Sequence, residues 1–177
     1  MVTYILDASA ILRYLDDDAG AARVAEIIKS HLAGTSEAVI AALHWGEIAG
    51  VTCKAHGRQS MDLVLSRLSA FGIRVVPADR DQAVSAALIK LKRLIPYVDA
   101  FGIALAAAAR DSVFVTADFD FKPASGDAKI EFLPAKTLFK TSESFSACSF
   151  PYRSGPSREK PGARGGRRRV RGGRWRP

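Results

Sequence analysis

Cysteine is almost missing: Cys53 and Cys148 stand alone, with no C-x-x-C spacing. A disulfide framework and a cysteine-based zinc site are therefore not expected, and a reducing, cytoplasmic setting is. Long apolar runs are missing too. The most apolar helical stretch, 98–109, is too short to span a bilayer, and no basic segment followed by an apolar one opens the chain. Neither export nor a membrane partner is expected. There is no Gly-rich phosphate loop and no G-x-S-x-G elbow, which leaves nucleotide-switch and serine-hydrolase chemistry without support. Positive charge is also scarce where a core can form. The formal net charge of the 177 residues is +8, yet residues 1–139 carry 15 Lys+Arg against 16 Asp+Glu, or −1, and residues 140–177 carry 11 against 2, or +9.

What is present is a hydrophobic content of 48%, enough for one domain with a real core. The chain opens on VTYILDASA, a short β-favouring run from Val2 to Leu6 that stops on the carboxylate of Asp7. A helix over 8–15 follows, then the acidic turn Asp16, Asp17, Asp18, read as a solvated turn with a helix N-cap, because adjacent side chains diverge. A helix over 21–32 places Val24, Ile27, Ile28 and Leu32 on one face. AVIAA at 38–42 is a second strand, and the helix after it carries His44 and Glu47 three residues apart on one face. That spacing suits a zinc pair, but no third ligand stands at a supporting spacing, so His44 is read as structural or surface.

Helical periodicity over 61–71, a third strand at 73–76 and a helix capped by Asp79 and running to about Leu94 come next, the last with Val84, Leu88, Leu91 and Ile95 expected inward. Its basic end, Lys90, Lys92 and Arg93, matches the helix dipole. YVDAFGIALAAAAR at 97–110 is a nearly all-apolar helix whose first turn holds one acid, Asp99, either a cap or a site residue. A fourth strand at 112–115 runs into Thr116, Ala117, Asp118, Phe119 and Asp120, and a last strand is expected at 130–133 after the loop 122–129. Alternating strands and helices imply a parallel sheet covered on both faces.

Four acids thus hold equivalent positions: Asp7 and Asp118 at strand ends, Glu47 and Asp99 near helix starts. In a parallel sheet all four face one edge. Two carboxylates 4 Å apart repel by about 4 kcal/mol at an effective dielectric near 20. Such a cluster protonates, stays wet or holds a cation. Oxygen ligands suit Mg²⁺ or Mn²⁺, which are completed by substrate phosphates and activate water on a phosphodiester without a protein nucleophile. Ser9 and Thr116, each two residues from an acid, are placed to orient a carboxylate or a metal-bound water, or to serve as local turn and cap hydrogen-bonders.

The patterns YILDASAIL, HWGEIAG, YVDAFGIALA and VTADFDF, in this order and at these separations, resemble the PIN-domain ribonucleases, most closely the small VapC toxins of toxin–antitoxin pairs. The likeness spans about Val2 to Phe139. It implies a PIN-like α/β fold with a five-stranded parallel sheet, and Mg²⁺- or Mn²⁺-dependent endoribonuclease activity. It also implies a cognate antitoxin and a homodimer. The acidic quartet falls on Asp7, Glu47, Asp99 and Asp118, the metal on Asp7, Asp99 and Asp118, and supporting roles on Ser9 and Thr116. Asp120 replaces or assists Asp118, or sits on a solvated loop.

The likeness ends near 139. Residues 140–177 turn to Ser, Pro, Gly and Arg with no apolar period, a composition expected to be disordered. Three readings compete for ARGGRRRVRGGRWRP at 163–177: an idle extension, an autoinhibitory arm filling the acidic pocket, or an RNA anchor. In the last, Arg167, Arg168, Arg169, Arg171 and Arg174 contact phosphates and Trp175 stacks on a base. The alternative to a nuclease is a non-catalytic RNA-binding module with that tail as its binding element. A phosphoacceptor built on strand-end acids is weaker, because no Lys follows a later strand at a suitable place.

Overall fold

The computed structural model describes residues 1–136. Five strands, β1 (Val2–Leu6), β2 (Ser36–Ala41), β3 (Arg74–Val76), β4 (Ser112–Thr116) and β5 (Ile130–Phe132), form one parallel sheet in the order β3-β2-β1-β4-β5. Helices α1 (Ala8–Leu15) and α2 (Ala21–Leu32) link β1 to β2, α3 (Ala42–His56) and α4 (Arg58–Ala70) link β2 to β3, and α5 (Arg80–Arg93) and α6 (Tyr97–Ala108) lead to β4. The strand order therefore reverses at β1, which lies between β2 and β4. In an open parallel sheet that reversal leaves a crevice beyond the strands' C-terminal ends, where ligands bind. No helix among the described residues is long and apolar enough to cross a membrane.

Side-chain alternation along the strands sorts the core into two layers. Leu6, Ala38, Ile40, Val113 and Val115 pack with Ile11, Val24, Ile27 and Ile28 on one face, while Ile5, Val39 and Phe114 pack with Ala86, Ala100, Phe101 and Ile103 on the other. The second layer is tight because α6 is rich in small residues. A Cβ at Gly102 would stand 2.5 Å from both His44 Cε1 and Phe114 Cε2, so only glycine lets the helix approach these rings.

The structure corrects several expectations. Val84, Leu88 and Leu91 do not face inward: they are 58, 63 and 72% exposed, and α5 instead seats Ala86 against α6, with Ala83 and Ile89 half-buried beside it. Small side chains allow the closer helix contact, so that face wins over the larger stripe. Leu32 is likewise exposed, whereas Ile95 is buried as expected. The acidic turn supplies no N-cap for α2. That cap is Gly20 at φ 93°, while Asp16 closes α1 and Asp18 pairs with Lys136 at 2.7 Å. The segment 119–124 is a 3-10 helix rather than a loop. Asp79 does cap α5, accepting from the Gln82 amide at 2.8 Å. The basic end of that helix meets Asp127, whose carboxyl Arg93 and Lys92 hold down at about 2.

Gly102→Ala is expected to lower the urea midpoint of the protein by the equivalent of about 1–3 kcal/mol, the usual cost of overpacking a core. An unchanged midpoint would show that the His44 and Phe114 rings yield freely.

Candidate functional site

Parallel pairing of Leu6 with Val115 sets the first residues after β1 beside the end of β4. The amide of Asp7 continues that ladder, donating to the Val115 carbonyl at 3.0 Å. Asp7 is also the N-cap of α1, in extended backbone at φ −76°, so strand and helix fix its direction together. It is only 4% exposed. Thr116 donates its hydroxyl to Asp7 Oδ2 at 2.8 Å, the Ser9 hydroxyl donates to the same oxygen, and the Ser9 amide donates at 3.3 Å. The two hydroxyls are held in turn: Ser9 Oγ accepts from the Ala117 amide at 2.9 Å, and Thr116 Oγ1 from the Asp118 amide at 3.0 Å. Of the two uses open to Ser9 and Thr116, each serves both. Each orients a carboxylate, and each ties down the turn after β4.

All of these bonds fall on Oδ2. Asp7 Oδ1 faces the imidazole of His44 instead, with Nδ1 at 3.6 Å. His44 is completely buried on α3, neither ring nitrogen makes a hydrogen bond among the described residues, and burial pushes its imidazole below the ordinary pKa against the opposing pull of Asp7. The ring is therefore neutral near pH 7, and the contact with Asp7 is not an ion pair. One turn further along α3, Glu47 stands at the solvent side. One ligand atom each from Asp7, His44 and Glu47 lies within 4.8 Å of the others. The third residue missing from the spacing in sequence, Asp7, thus comes from the turn after β1, and His44 is no surface residue.

Asp99 occupies the first turn of α6 but is not its cap, which is Pro96 without a side-chain bond. Its carboxylate is half-buried, and desolvation, followed by the charges of Asp7, Asp118 and Asp120, raises its pKa to about 6. Glu47 is raised to about 7 by desolvation and by the charges of Asp7 and Asp99. Asp118 begins the 3-10 helix, its Oδ1 accepting from the Asp120 amide at 2.9 Å, and Asp120 is exposed. Asp99 thus feels Asp7, Asp118 and Asp120, and Glu47 feels Asp7 and Asp99. Arg167, Arg168, Arg169, Arg171, Arg174 and Trp175 lie outside the described residues.

A divalent cation fits this donor set. Carboxylate oxygens dominate, two of the acids are destabilised as anions by desolvation and by their neighbours, and the buried imidazole of His44 has no hydrogen bond among the described residues.

The fold matches crystal structures of toxin–antitoxin proteins at low identity. VapBC2 from Rickettsia felis, bound to a promoter DNA fragment, superposes with a TM-score of 0.60 at 11% identity over 75% of this chain and 100% of that one. DNA-bound VapBC from Salmonella typhimurium gives 0.58 at 15% identity over 75% and 98%. VapBC-5 from Mycobacterium tuberculosis, a member of the VapBC family of toxin–antitoxin systems, gives 0.50 at 19% over 75% and 98%. No curated protein sequence matches the chain significantly. The model of the PIN domain matches residues 4–126, more than half of the chain. The match takes in most of β1, the acids of the crevice and all of β4, and the chain belongs to the PIN domain family.

Proposed function

We propose that this protein is a metal-dependent endoribonuclease and the toxin of a toxin–antitoxin pair, with residues 1–139 as the nuclease domain and 140–177 as a separate basic tail. The observation that carries the reading is the convergence of Asp7, Glu47, Asp99 and Asp118 at the reversal of strand order, where desolvation and the neighbouring charges raise Glu47 to about 7 and Asp99 to about 6. Membership of the PIN domain family supports nuclease chemistry, and the likeness of the fold to VapBC complexes supports a cognate antitoxin as partner. A homodimer belongs to the same reading.

In this proposal Asp7, Asp99 and Asp118 hold Mg²⁺ or Mn²⁺. When bound, the cation offsets their repulsion and supplies Lewis-acid activation of water and of the scissile phosphate. Ser9 and Thr116 keep Asp7 Oδ2 occupied, so that Oδ1 alone is presented to the crevice. Glu47 and Asp99, raised to about 7 and about 6, carry protons at mildly acidic pH and would have to be anionic to hold the cation. Asp120 assists at the exposed side. No side chain of the protein attacks phosphorus.

Asp7→Asn and Asp99→Asn are each expected to abolish cleavage of total RNA by the full chain in Mg²⁺ or Mn²⁺ while the circular dichroism spectrum persists. Full activity in EDTA would falsify the metal reading. The pH dependence of folding follows from the raised carboxyls. Folded Glu47 and Asp99 bind protons more tightly than the unfolded chain does, so their repulsion is absent at low pH and grows as pH rises through about 6 and 7. Melting in EDTA is therefore expected to fall between about pH 4 and 7 through these groups, and Mn²⁺ to reverse the loss. Parallel profiles with and without the cation would contradict this.

A further inference from the structure

His44 is the described residue that the proposed chemistry leaves without work, and it is the one buried side chain whose polar atoms are both unpartnered. A residue present only for packing need not carry that cost, since each unsatisfied buried polar group costs about 1–3 kcal/mol and a leucine fills similar space with none. The ring is also held in place. Gly102 lets α6 press against Cε1, and Phe114 lies tilted at 6.1 Å between centroids. The imidazole therefore meets Asp7 with little freedom to turn away.

The separation of Nδ1 from Asp7 Oδ1, 3.6 Å, is too long for a hydrogen bond. It is well inside the span of two ligands on one ion, whose bonds of about 2.0–2.2 Å place the donor atoms at most about 4.4 Å apart. Oδ1 is the oxygen that Ser9 and Thr116 leave open, and Glu47, exposed at the rim, completes a group within 4.8 Å. We propose that His44 ligates the bound cation through Nδ1, together with Asp7 Oδ1 and the Glu47 carboxylate, and that this nitrogen makes the site favour a divalent transition ion such as Mn²⁺ over Mg²⁺. The proposal rests on the reading of the crevice as a metal site.

A neutral imidazole has one lone pair to give, and burial keeps His44 neutral. In this proposal the ring proton sits on Nε2, the nitrogen turned away from Asp7 Oδ1. This leaves the Nδ1 lone pair facing Asp7. Mg²⁺ takes oxygen ligands almost exclusively, whereas first-row transition ions accept imidazole readily, so one nitrogen is enough to separate them.

The test is pulsed EPR on the full chain loaded with one equivalent of Mn²⁺, with natural-abundance and ¹⁵N-histidine protein, alongside calorimetric affinities for Mn²⁺ and Mg²⁺. We expect a directly coordinated histidine nitrogen that changes with the isotope and vanishes in His44→Leu. The Mg²⁺-to-Mn²⁺ ratio of dissociation constants should fall by at least about tenfold in that variant. Should His44→Leu not fold, His44→Gln, whose amide offers oxygen instead, must lose the same coupling. Tight Mn²⁺ binding without a histidine coupling, or with an unchanged ratio, overturns the role of His44 and leaves the metal site standing. Failure of the wild-type chain to bind Mn²⁺ at all overturns both.

Discussion

The carboxylate of Asp7 is the group around which the rest of the site is set. A carboxylate buried to 4% exposure is tolerable only if its desolvation is offset, and several kcal/mol are at stake. Two hydroxyls and an amide converge on Oδ2, and hydrogen bonds to a charged acceptor contribute about 1.5–3 kcal/mol each. One hydroxyl comes from α1 and the other from the end of β4. The same contacts that stabilise the charge therefore lock the two central strands together, and they fix which oxygen stays available.

The fold supports this arrangement by making the crevice rigid below and repulsive above. Below it, Ile5 and Leu6 point to opposite core layers, so β1 is clamped between the α1–α2 face and the α5–α6 face and cannot slide. Above it, Glu47 and Asp99 are brought toward Asp7 by α3 and α6, two helices separated by forty residues of sequence. Desolvation, and after it the charges of the neighbouring acids, raises both carboxyls there. Bringing these carboxyls together costs stability once they ionise, a cost that a bound cation would offset.

Much of this was legible in the chain itself. Strand-sized apolar runs ending on Asp7 and Asp118 announced the sheet edge, because backbone alternation and burial leave a direct periodic signature. The acidic quartet could be named for the same reason. What misled was periodicity taken as proof of burial. Val84, Leu88 and Leu91 form a regular stripe that no described element covers, since α6 packs on the small face through Ala86. Caps were mixed. Asp79 behaved as its type predicts, whereas Asp99 is turned to the crevice by Pro96 taking the cap position.

By itself the sequence determined the alternation of elements, the parallel sheet and the identity of the acids, because each is written in local composition and period. It also separated the basic tail from the near-neutral body by charge alone. Only the tertiary structure decided how those acids divide the work. That His44 meets Asp7 rather than solvent, and that Ser9 and Thr116 share one oxygen, both depend on β1 lying between β2 and β4. Such contacts join residues 37 and 109 positions apart. No local rule of sequence encodes a distance across a sheet; strand order does.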